Sequence, residues 1–168
     1  MGDPKFPTIC ISLVHESIAP GELLDRWQSR LRSCLGEAPA ATSLFIGRVR
    51  GTTAAGLALE ALELEHYPGM TERQLEQLAC SCAERHGAKA VLVVHRVGRI
   101  RPGEAIVVVA VMTDRRGPAQ RCCQDLLEAL KHEAPFWKRE WAGDAGRSGW
   151  APAPAGASAR AAAAAGCR

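Results

Sequence analysis

The sequence predicts an α+β fold, a mixed sheet with helices on one side. Strand-like and helix-like segments alternate as β-α-β-β-α-β-β-α-β. Two runs, residues 90–94 (AVLVV) and 105–112 (AIVVVAVM), are continuously apolar, as expected of strands central in a sheet or covered on both faces. Two helical segments, one before these runs and one after, carry apolar residues at i, i+3, i+4 and i+7 spacing.

Residues 8–14 (TICISLV) alternate and are β-branched, so they read as a strand. Pro20-Gly21 opens a helix through about Cys34, with Leu23, Leu24, Trp27 and Leu31 on its apolar face. Residues 42–50 (TSLFIGRVR) form a second strand, ended by the loop at residues 51–56. Residues 57–66 (LALEALELEH) fit helix or strand. The turn at Tyr67-Pro68-Gly69 and the better helix after it favour strand. That helix starts with a capping box, Thr71 with Gln74, and its stripe runs through Leu75, Leu78, Ala79, Cys82 and Ala83 to a stop at Gly87. A turn-rich link, residues 98–104, joins the two apolar strands. The last helix begins near Pro118, read as its first helical residue, and runs to about Glu133. Pro135 ends it, and residues 136–141 read as a short terminal strand.

A chain of 168 residues can bury roughly 70% of its unfolded surface as one domain, and residues 1–150 read as that domain. Residues 151–168 (APAPAGASARAAAAAGCR) offer no face to bury and read as a disordered tail. Lysine plus arginine exceed aspartate plus glutamate by 21 − 18 = 3. That excess is too small for nucleic-acid binding by bulk charge, yet it allows a local anion site. No apolar run reaches the roughly 18 residues of a membrane span, and the N-terminus lacks a signal-peptide pattern. The seven cysteines follow no framework spacing, which fits free thiols in the cytoplasm.

There is no phosphate-binding glycine loop, nucleophile elbow or metal-ligand spacing. The five histidines share no ligand pattern, so neither a metal nor a cofactor is expected. Cys82, Cys122 and Cys123 fall on apolar stripes and read as core. What remains is cationic. Arg48 and Arg50 sit two apart at the end of a strand, which there either leaves the core or faces an anion pocket. Arg115 and Arg116 precede the last helix, where backbone N–H groups and the helix dipole favour an anion. Lys131 lies at the border of that helix's apolar stripe, and Lys138 just past Pro135. Singly, each reads as a solvated surface residue. Together they suggest a phosphate-sized anion held beside an amine with cationic neighbours.

These residues lie in a longer pattern: GRVR at 47–50, LEHYPGMTE at 64–72, HRVG at 95–98 with PGE at 102–104, and LK at 130–131 with APFWKRE at 134–140. In that order they closely resemble the catalytic (large) subunit of molybdopterin synthase, the MoaE family, over roughly residues 43–141. The resemblance implies an α/β hammerhead fold with a small additional β subdomain. It also implies sulfur transfer to cyclic pyranopterin monophosphate, forming the dithiolene of molybdopterin. The sulfur would come from the C-terminal thiocarboxylate of a small ubiquitin-like partner whose Gly-Gly tail enters the pocket, and two large subunits would pair at the centre of a heterotetramer. On the same basis the catalytic lysines fall on Lys131 and Lys138, the substrate-binding arginine on Arg50, and the strand aromatic on Phe45. The family's His-Arg pair falls on Arg115 and Arg116, so the arginine carries over and the histidine does not. Two other readings compete. One is a non-catalytic dimeric α/β module that holds an anion or a protein tail at its basic edge. The other is a sulfurtransferase working through Cys122 or Cys123.

Overall fold

A computed structural model describes residues 7–142, with the backbone of residues 146–147 and 151–152. The elements in chain order are β1 (Thr8–Val14), α1 (Pro20–Leu35), β2 (Ala41–Arg48), β3 (Leu59–His66), α2 (Met70–His86), β4 (Ala90–Arg96), β5 (Gly98–Ile100), β6 (Ala105–Thr113), α3 (Arg116–Glu133), β7 (Phe136–Ala142), β8 (Gly146–Arg147) and β9 (Ala151–Pro152). They form two sheets.

The first sheet has the order β1-β4-β6-β2, with β1 parallel to β4 and the other pairs antiparallel. Its two central strands are the two continuously apolar runs. Val91 and Val93 of β4, with Val109 and Val111 of β6, meet Leu75, Ala79 and Leu126 from α2 and α3. Alternate residues Ala90, Leu92, Val94, Ala110 and Met112 pack instead with Trp27 and Leu31 of α1. The expected placement of all helices on one side is therefore corrected: α1 covers the opposite face. A strand with no polar residue in either phase needs both faces covered.

The second sheet is the small β subdomain, in the order β5-β3-β7-β8, with β9 also on β7. Residues 59–66 are indeed a strand, because their apolar period is two. Leu62 and Leu64 join Leu59, Val49 and Ile100 in a separate small core, while Glu63 and Glu65 occupy the other face. The predicted link at residues 98–104 contributes the short β5, which pairs with β3. Beyond the domain, the backbone of Ala151 and Pro152 pairs with Lys138 and Trp137. The rest of the expected disordered tail lies outside the described residues.

Two helix starts differ from expectation. The N-cap of α2 is Gly69, with φ +78°, a conformation that suits glycine. Its N–H donates to Glu72 Oε2 at 2.6 Å, so the capping carboxylate is Glu72 and not Gln74. Thr71 is instead fully buried. Its hydroxyl accepts the Tyr67 N–H at 3.2 Å and donates to the Pro135 carbonyl at 3.5 Å. Helix α3 begins at Arg116, which makes Pro118 its third residue, still in the turn where a missing N–H costs nothing. Among the described residues no helix is long and apolar enough to cross a membrane.

His95 closes the seam between the sheets. Its ring stacks on Phe136 with centroids 4.5 Å apart, and its Nδ1–H donates to the Arg96 carbonyl at 2.8 Å. Burial pushes its pKa down from 6.5 to about 4. The unfolded chain therefore binds this proton at higher pH than the folded one, and stability is lost as pH falls from 6.5 towards 4. Urea unfolding should show stability roughly 2 kcal/mol lower at pH 5 than at pH 7, from 1.36 kcal/mol per pKa unit. His95→Gln should flatten that slope.

Candidate active site

Arg50 reaches its place because β2 stops early. The register shifts between Gly47 and Arg48, and the chain then leaves the first sheet. Gly47 permits a close approach there, since a Cβ would lie 2.8 Å from Val107 Cγ1 and 3.2 Å from the Phe45 ring. Val49 is buried in the small core, and both its backbone groups are used: its N–H donates to the Glu104 carbonyl at 3.0 Å, and its carbonyl accepts the Gly103 N–H at 2.8 Å. Arg50 follows, exposed. Of the two readings left open for the strand end, departure from the first sheet is the observed one.

Lys138 lies on β7 directly opposite Leu64, and Glu140 opposite Leu62. Directly opposed residues share a face, so Lys138 projects from the same face of the second sheet as Leu64, against which Val49 packs. Lys138 Nζ pairs with Glu140 Oε1 at 2.6 Å. The nearest charge to this amine is thus a carboxylate, rather than the cations expected from sequence.

Lys131 stands exposed in the last turn of α3, where the partial negative charge of the helix end favours a cation. Leu130, Ala134 and Phe136 are all buried in the main core. The Pro135 junction between the two lysines is therefore a fixed corner, held also by the Thr71 hydroxyl.

Arg115 and Arg116 are exposed at the other end of α3. Thr113 Oγ1 accepts the Arg115 N–H at 3.3 Å and donates to the Arg115 carbonyl, and no acidic residue occupies the first turn. Arg116 and Lys131 are 131 − 116 = 15 residues apart on one helix, about 22 Å at 1.5 Å per residue. Within one chain they do not hold the same phosphate. Phe45 is 41% exposed on the outer strand β2, beside Gly47. The fold thus leaves Arg50 exposed directly after the buried Val49 and Lys138 opposite Leu64 on the second sheet, and sets Arg115 and Arg116 far along α3 from Lys131.

The cysteine reading does not survive the fold. Cys122 and Cys123 are buried, and burial pushes the Cys122 thiol up to about 12 and raises Cys123 as well. A thiolate nucleophile needs the opposite environment. Among the described residues no group of three or more His, Cys, Asp or Glu is placed to hold a metal ion. Sequence reasoning assigned no role to Arg96 and Glu104. They pair at 3.1 Å beneath the Val49 segment, with Arg96 only 5% exposed. Their signal was the HRVG and PGE segments, which carry no recognisable catalytic spacing.

A family model described as MoaE protein matches residues 15–133. A protein from Ralstonia nicotianae named "Molybdopterin synthase catalytic subunit" is 45% identical over 100 residues, 60% of this chain, and the match spans 56% of that relative's own length. One of the same name from Caulobacter vibrioides is 39% identical over 131 residues, 77% of this chain and 81% of its own. Among solved structures, a molybdopterin biosynthesis MoaE protein from Burkholderia ambifaria superposes with TM-score 0.68 at 36% identity, covering 89% of this chain and 92% of that one.

Proposed function

Because the chain belongs to the MoaE family, we propose that it is a molybdopterin synthase catalytic subunit acting in the cytoplasm. It takes sulfur from the C-terminal thiocarboxylate of a small ubiquitin-like partner and adds it to cyclic pyranopterin monophosphate, forming a dithiolene in two transfers. The observation that carries this reading is the family match over residues 15–133, supported by the exposed Arg50 beside Val49 and by Lys131 and Lys138 on either side of the Pro135 corner.

Arg50, a fixed guanidinium fork, suits the substrate's phosphate. Attack by the thiocarboxylate sulfur on the pterin side chain develops negative charge on oxygen, which a preorganised cation stabilises. Lys131 lies nearest the incoming tail carbonyl and donates a proton. Lys138, oriented by Glu140, positions the substrate and assists departure of the leaving group. Arg115 and Arg116 reach this centre from a second copy of the chain, since 22 Å of helix separates them from Lys131 in their own. Phe45, exposed on the strand that leads to Arg50, lies at the rim. The names of the relatives, each a catalytic subunit, support a partner subunit; the pairing of two large subunits within a heterotetramer rests on the family resemblance.

Incubation with cyclic pyranopterin monophosphate and thiocarboxylated partner should yield the dithiolene. Binding of both without turnover would instead identify a non-catalytic module.

A further inference from the structure

We propose that Arg96 and Glu104 are positioning residues that place Arg50 for its anion. The inference rests on the reading of Arg50 as the substrate-binding arginine.

A single guanidinium joins three separate segments. Arg96, at the end of β4, donates from Nη2 to the His15 carbonyl just past β1, at 3.3 Å, and pairs with Glu104 at 3.1 Å. Glu104 in turn closes its own turn, its Oε2 accepting the Arg101 N–H at 2.8 Å and its N–H donating to the Arg101 carbonyl at 3.2 Å. That turn presents the Glu104 carbonyl and the Gly103 N–H to the two backbone groups of Val49. The Gly103 carbonyl accepts Arg48 Nη1 at 3.1 Å. The residues before Arg50 are therefore clamped by one short loop, and the loop is anchored by an ion pair whose arginine is buried and whose carboxylate is partly exposed.

Stability alone is a poor reason for such a pair. Taking charges out of water costs more than an apolar pair of the same volume, unless the geometry satisfies every donor. Here it does not: Nε of Arg96 is buried without a hydrogen-bond partner among the described residues, and Nη1 meets only the Glu104 carboxylate. The ion pair gives direction instead. It sets where the Gly103 and Glu104 backbone lies, and so where the exposed Arg50 stem emerges.

The test is a double-mutant cycle on the full chain, read as affinity for cyclic pyranopterin monophosphate. Glu104→Gln keeps an acceptor for the Arg101 N–H and removes only the charge facing Arg96. It should weaken binding about fivefold where Arg50 is intact, and less than about twofold in the Arg50→Ala background. Its KM should rise with kcat held, while affinity for the partner's tail stays unchanged. Arg96→Lys, which keeps the charge but loses the fork, should behave in the same way. Equal losses in both backgrounds, or no loss with Arg50 present, would overturn the positioning role. If Arg50→Ala alone left affinity unchanged, the reading of Arg50 would fail first, and the inference with it.

Discussion

Alanine at Lys131, and separately at Lys138, is expected to lower dithiolene formation by about a hundredfold or more, the scale for removing one preorganised charge donor at a developing oxyanion. The two losses should have different origins. Lys131 is exposed at a helix end and makes no ion pair among the described residues, so its ammonium is free to meet an incoming carbonyl. Lys138 is already held by Glu140 at 2.6 Å. Glu140→Gln should therefore reproduce part of the Lys138→Ala defect and leave the Lys131 step alone. Single-turnover measurement with thiocarboxylated partner separates them. Near-normal product from both alanine variants would remove these lysines from the chemistry.

The second large effect is on stability. Leu126→Ala should cost about 2–5 kcal/mol, the range for emptying a fully packed leucine site. Leu126 is 0% exposed, in one core with Leu75, Val91 and Val109, and α2 and the sheet packed against it limit collapse of the void. A domain with a total of roughly 5–15 kcal/mol would lose a large part of its margin, visible as an earlier urea midpoint. The neighbouring exposed position Gln124, changed to alanine, should move the midpoint little.

Much of this fold could be read from residue patterns, because apolar period and turn chemistry are local. The two valine-rich strands, the α2 stripe and the Pro135 break all stand where periodicity places them. The position of α1 was not legible. A continuous apolar strand says that both faces are covered, and nothing local says by which helix. The start of α2 departs from its local signal because Thr71 carries a capping side chain but bonds the Pro135 carbonyl, a partner 64 residues away in sequence.

The same limit applied at the site. Arg50, Lys131 and Lys138 were found through sequence motifs. The face that Lys138 occupies depends on the antiparallel register of β3 and β7, which brings Leu64 opposite it. The pairing of Arg96 with Glu104 needs a turn and a strand end to meet, and no spacing rule announces it.

The burial of Cys82, Cys122 and Cys123 bears on the fidelity of the proposed reaction. A protein that receives a thiocarboxylate risks losing its sulfur to its own thiols: a cysteine thiolate that attacks the acyl carbon forms a thioester and expels hydrosulfide. At neutral pH the interior of the α2–α3 layer holds these three sulfurs protonated, their ionisation raised by burial, and out of reach of a visiting tail. Partitioning of the sulfur between product and side reaction is thereby biased by packing alone.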